Sequence, residues 1–140
     1  MVLNGPNLGR LGLREPEVYG TATHGELAAL CRATGTAAGL DVDVRQSDSE
    51  AELIGWLHEA AAGGLPVVLN PAALTHYSYA VRDAVAMATA PVIEVHLSNP
   101  GARESFRHVS VVTPVVTATI AGLGFGSYRH ALLAIAELTR

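Results

Sequence analysis

The chain has 140 residues, a formal charge of −4, 49% apolar and 16% charged residues, and a single cysteine. That length suits one domain, 1–140, whose core removes roughly 68% of the unfolded chain's surface from water. The apolar share excludes a disordered tail or a collagen-like repeat, and the acidic balance argues against a dedicated nucleic-acid binder.

All nine basic residues are arginines. Schiff-base chemistry on lysine and a Walker-type phosphate lysine are therefore ruled out. Cys31 alone cannot build a disulfide framework. The most apolar stretch, Val109 to Phe125, is interrupted by Ser110, Thr113, Pro114, Thr117 and Thr119. It falls short of the ~20 apolar residues that cross a bilayer. Met1-Val2-Leu3-Asn4 has no basic segment leading into an apolar run. The expectation is a cytoplasmic protein with neither membrane nor nucleic-acid partners.

In chain order, Val2-Leu3 reads as a brief first strand that looks shortened, followed by a long Gly/Pro/Arg segment from Asn4 to Ala22. Thr23-His24-Gly25-Glu26 has capping-box spacing and opens a helix with Leu27, Leu30, Cys31 and Thr34 on one face. Asp41 to Gln46 alternates like a strand. Ser49-Glu50-Ala51-Glu52 repeats the capping-box spacing and starts a helix that turns Leu53, Trp56, Leu57 and Ala60 inward.

Gly63-Gly64 stops that helix, and Pro66 to Leu69 is a continuous apolar strand ending at Asn70. A helix is predicted from about His76 to Met87, a strand from Pro91 to Leu97, and a fifth strand at Val109 to Val112. The last helix falls within Ala118 to Leu138. Strands alternating with helices predict an α/β fold: a five-stranded, parallel, doubly wound sheet in a flavodoxin-like three-layer sandwich.

In such folds ligands sit beyond the carboxyl ends of the strands. Those ends carry Asn4-Gly5-Pro6-Asn7, Asn70 and Glu94-Val95-His96-Leu97-Ser98. Glu94, His96 and Ser98 share one strand face. An acid and an imidazole buried together must satisfy each other, and such a pair suits a general acid or base as well as a purely structural polar contact. Zinc held by Glu94, His96 and His76 is the rival use of the same residues.

Arg10 to Gly20 is long for a strand-to-helix connection, usually about 2–6 residues, and has the character of a lid. An ordinary tyrosine titrates near ~10. A cation such as Arg14 near Tyr19 would make a tyrosinate, a strong base, accessible. Taken alone, the same residues better suit a surface loop whose Tyr packs against the sheet edge and whose Arg is solvated. Asn70 to His76 joins a strand end to a helix start, where free N–H groups bind anions or hydroxyls. His76 there either contacts ligand or caps the helix. Arg107 could hold a hydroxyl or carboxylate. Gly122-Leu123-Gly124-Phe125-Gly126 has the look of a dinucleotide fingerprint but lies too late in the chain and lacks the strand-plus-acid context.

Taken together, NGPNLGRLGLREPEVYG (Asn4 to Gly20), RQSDSEAELIGWLHEA (Arg45 to Ala60), LNPAALTHYSYAVRDA (Leu69 to Ala84), PVIEVHLSNPGARESFRHVS (Pro91 to Ser110) and AGLGFGSYRHAL (Ala121 to Leu132) resemble the type II 3-dehydroquinate dehydratases across essentially the whole chain. The resemblance implies anti elimination of water from 3-dehydroquinate through an enolate, giving 3-dehydroshikimate in the shikimate pathway, with no cofactor and no metal.

By matching position, the resemblance makes Tyr19 the base, Arg14 the group holding it ionised, Asn7 the enolate stabiliser acting through a water, and His96 the acid oriented by Glu94. Asn70, His76, Ser98 and Arg107 would bind substrate with the Leu97 backbone. Asp83 would reach a neighbouring subunit's site, because the family forms trimers grouped into a dodecamer. Ala72 stands where the family often has Gly, and Leu13 where a polar lid residue is more usual.

Two other classes stay open on sequence. A flavodoxin-like binding or signalling module would want acids or a hydroxyl-rich loop after the first strand, where this chain has Asn4 to Asn7. A catalytically dead oligomer of the same fold is the third, against which stand intact Tyr19, Arg14 and His96.

Overall fold

A computed structural model describes all 140 residues. Five parallel strands, β1 (Val2–Asn4), β2 (Val44–Gln46), β3 (Val67–Asn70), β4 (Val92–His96) and β5 (Ala118–Ala121), form one sheet in the order β2-β1-β3-β4-β5. The helices are α1 (Pro16–Tyr19), α2 (His24–Ala37), α3 (Glu50–Gly63), α4 (Tyr79–Ala86) and α5 (Phe125–Leu138).

The two-residue period of a strand sorts its side chains between two apolar layers. Val2, Val68, Ile93 and Val95 pack with Leu27 and Cys31 of α2 and Tyr128, Leu132 and Ile135 of α5. Leu3, Val67, Leu69 and Val92 pack on the other face with Leu53 and Leu57 of α3 and Val81 and Val85 of α4. Both faces are covered, so β3 is buried along its whole length, as its unbroken apolar run requires. The winding reverses between β1 and β3, which leaves a crevice above their carboxyl ends.

Local signals account for most boundaries. Thr23 forms the expected capping box, its side chain accepting from the Glu26 amide while Glu26 accepts from the Thr23 amide. At α3 only half the box exists. Ser49 accepts from the Glu52 amide, but the Glu52 carboxylate turns to the Ser47 hydroxyl at 2.5 Å. The fourth helix begins three residues later than predicted. Ala72–His76 winds as a 3-10 turn, and Ser78 caps α4 by accepting from the Val81 amide.

The fifth strand is not where the valines are. Val109 to Val112 stays outside the sheet, and β5 is Ala118–Ala121, paired with Ile93 to His96. The Ser110 hydroxyl accepts from the Val112 and Thr113 amides and bends the chain into a 3-10 turn at Thr113–Val115. The small, alternating Ala118-Thr119-Ile120-Ala121 suits an edge strand that is only half covered.

Candidate active site

The crevice is floored by two strand ends held very close together. The Gly5 amide donates to the Asn70 carbonyl at 2.8 Å, and a Cβ at Gly5 would sit 2.9 Å from the Pro71 carbonyl oxygen. Only glycine permits that approach. The chain then turns at Asn7, whose φ of 71° is left-handed and whose amide donates to Asp48 at 2.8 Å.

Asn7, Arg14, Tyr19, Asn70, His76, His96, Leu97, Ser98 and Arg107 all line this one cleft, which encloses about 570 Å³ counting its open mouth. Glu94 stands behind His96, fully buried. Asp83 does not line the cleft: it lies exposed on α4 of the same chain.

On the sheet side, period two puts Glu94 and His96 on one face of β4. His96 Nε2 donates to Glu94 Oε1 at 2.7 Å, and a carboxylate can only accept, so the Nε2 proton is fixed there. Thr75 donates to Oε1 at 2.5 Å and Thr113 to Oε2 at 2.7 Å; with the Thr75 proton committed to Glu94, Ser110 donates to the Thr75 oxygen at 2.6 Å. Burial would raise the Glu94 carboxyl, but hydrogen bonds from His96, Thr75 and Thr113 and the nearby imidazole outweigh it, so the net shift is downward and Glu94 stays a carboxylate. The misplaced Val109 to Val112 segment thus serves this acid: its Ser110 turn carries Thr113 to it.

On the lid side, Pro16–Tyr19 forms a single helical turn entered through Glu15 at φ 38°. Two guanidinium carbons, of Arg14 and of Arg103, each lie 5.2 Å from the Tyr19 ring centroid. Only Arg103 reaches the hydroxyl, donating to it at 2.8 Å and to Ser98 Oγ at 3.3 Å. Sequence reasoning missed Arg103. The available signal was Asn99-Pro100, where Asn99 caps a 3-10 turn that swings Arg103 back over the cleft.

His76 Nδ1 donates to the Val109 carbonyl at 2.7 Å, and its ring meets Phe106 edge-on. Arg107 stacks over Phe106 and pairs with Glu104. The zinc arrangement does not form, since no three His, Cys, Asp or Glu side chains converge on a point that could hold a metal ion. The glycine-rich stretch serves β4: the Gly122 and Gly124 amides donate to the His96 and Leu97 carbonyls at 3.2 and 2.9 Å. No helix is long and apolar enough to cross a membrane.

The family model for Dehydroquinase class II matches residues 1–136. The chain belongs to the class II dehydroquinase family. Within the family, it is 62% identical over 139 residues to the 3-dehydroquinate dehydratase of Salinispora tropica, covering 99% of this chain and 97% of that one. It is 59% identical to that of Mycobacterium avium, covering 94% and 92%. Among solved structures, the type II dehydroquinase from Propionibacterium acnes superposes with a TM-score of 0.96 at 58% identity, covering 97% of this chain and 94% of that one. A 3-dehydroquinate dehydratase-like protein from Bifidobacterium longum gives 0.76 at 43% identity, over 99% and 94%.

Proposed function

We propose that this cleft removes water from 3-dehydroquinate, as a hydro-lyase of the shikimate pathway, using only the chain's own residues. The observation that carries this is the Arg103 donor on the Tyr19 hydroxyl, with Arg14 beside the same ring and the His96–Glu94 pair in the same cleft. Two guanidinium cations stabilise negative charge on the Tyr19 oxygen. As a phenolate, Tyr19 takes the proton from the carbon alpha to the substrate ketone, and the electron pair moves onto the carbonyl oxygen as an enolate.

Asn7 serves that enolate through a bound water, in the manner of a preorganised oxyanion site. The enolate then collapses and expels the β-hydroxyl. His96 protonates the departing oxygen, which leaves as water, and the new double bond is conjugated with the ketone. Since Nε2 is committed to Glu94, the transferred proton comes from Nδ1 of the doubly protonated ring. Buried Glu94 stabilises that imidazolium while the acid waits. Asn70, His76, Ser98, Arg107 and the Leu97 backbone surround the cleft and hold the hydroxyls and carboxylate of the substrate.

Asp83 belongs to this scheme only in an assembly. Its exposure on α4, away from its own cleft, supports a reach into a neighbouring subunit's site within a trimer of a dodecamer. Light scattering that found only monomers would overturn that part.

The test of the chemistry is an assay with 3-dehydroquinate alone, followed by the ultraviolet absorbance of the enone. Turnover is expected to survive chelator and borohydride, and Tyr19→Phe is expected to reduce it by about 10² or more. Full activity in Tyr19→Phe, or loss of turnover with EDTA, would sink the scheme.

A further inference from the structure

Asn4 and Asn70 close adjacent strands in register, so their side chains emerge side by side on the α5 face of the sheet. Between them stands Tyr128, wholly buried. Its hydroxyl donates to Asn4 Oδ1 at 2.6 Å and accepts from Asn70 Nδ2 at 2.8 Å. Asn70 Oδ1 in turn accepts from the Ala72 amide at 3.1 Å, in a turn where Ala72 has φ 52°.

The direction of these bonds is forced. The Ala72 amide can only donate, which fixes Oδ1 of Asn70 toward it and Nδ2 toward the phenol. The single phenol proton then goes to Asn4 Oδ1, and Asn4 Nδ2 is left facing His24 Nε2 at 3.3 Å. That ring nitrogen must be the unprotonated acceptor. Burial, with Arg32 adding to it, pushes the His24 imidazole downward and agrees with this.

We propose that Tyr128 is a positioning residue for substrate binding: it locks the rotation of the Asn70 amide, and Asn70 holds the strained Asn70-Pro71-Ala72 turn at the cleft wall. This rests on Asn70 being a substrate-binding group. The lock leaves one Asn70 N–H without a protein partner, in a buried residue at the cleft wall. A phenol is suited to the task, since it is rigid, packed on all sides and carries one donor and one acceptor.

The experiment is steady-state kinetics of Tyr128→Phe and Asn70→Ala side by side, each checked by circular dichroism and thermal melting. Tyr128→Phe is expected to raise KM for 3-dehydroquinate about tenfold with kcat within about twofold. A merely structural role would lower kcat by shrinking the folded fraction and leave KM unmoved, and that result overturns the proposal. If Asn70→Ala raises KM while folded Tyr128→Phe does not, the positioning role fails and the assignment of Asn70 survives. If Asn70→Ala leaves KM unchanged, the assignment of Asn70 falls and the proposal with it. Should Tyr128→Phe fail to fold, Asn4→Leu keeps the phenol, removes its acceptor and fills the space a water would take, so the phenol proton turns onto Asn70 and forces its amide to flip. The same rise in KM is then required, and an unchanged KM rejects the proposal.

Discussion

Arg103 and Tyr19 lie 84 residues apart in sequence, yet the guanidinium donates directly to the phenol oxygen at 2.8 Å. Arg14, the neighbour in sequence, lies at the ring and makes no hydrogen bond to that oxygen. A charge-assisted hydrogen bond is roughly twice as strong as a neutral one. Arg103→Met is therefore expected to lower kcat more than Arg14→Met does, by about 10²–10³. Rate measurements at saturating substrate decide it; an Arg103 variant with wild-type kcat would remove this arginine from the mechanism.

Glu94 links catalysis to stability. Its folded carboxyl titrates below the ordinary value of 4.5. The stabilisation it supplies is thus complete above pH 4.5 and disappears as pH falls through the lower folded value. Glu94→Gln should be less stable near neutrality and should lose less on acidification than the wild type. Its kcat should fall by up to about 10² because the imidazolium loses its counter-charge. Thermal melts between pH 3 and 7 test the first claim, and parallel acid limbs for the two proteins would contradict it.

Ala72 occupies a left-handed conformation, φ 52°, that costs a side-chain-bearing residue about 1–2 kcal/mol. Ala72→Gly relieves it, less the greater freedom of glycine in the unfolded chain. The expected net gain is about 0.5–1 kcal/mol, a rise in melting temperature of roughly 2–4 °C. A lower melting temperature would mean that the surrounding turn carries no strain.

Cys31 is buried in the α2 face, and burial pushes its thiol up to about 12, with Arg32 opposing only slightly. The thiolate is the reactive form. Folded protein at pH 8 is therefore expected to stay unmodified by a maleimide, and guanidinium-unfolded protein to react fully. Mass spectrometry reads both, and rapid labelling of the folded form would show that burial does not protect this thiol.

The sheet, its winding and the crevice were legible because unbroken apolar runs such as Val67-Val68-Leu69 leave little choice. Glu94 and His96 could be paired from a two-residue spacing alone. The fifth strand was misplaced because three valines outweighed a serine that ties up two amides, a contact only the folded chain reveals. Arg103 and Thr113 stayed hidden for the same kind of reason: 3-10 turns rotate them toward groups far along the chain. Tyr128 carried no signal of its own in the sequence, and its hydroxyl gains meaning only where two asparagines arrive in register on neighbouring strands.

The two sides of the cleft differ in their mounting. His96 and Glu94 ride on a strand hydrogen-bonded on both edges, whereas Tyr19 sits on one helical turn with no buried residue of its own. The enzyme therefore works like a vice with one fixed jaw. A protease that clips between Leu13 and Gly20 would silence turnover while the sandwich of helices and sheet behind it stays standing.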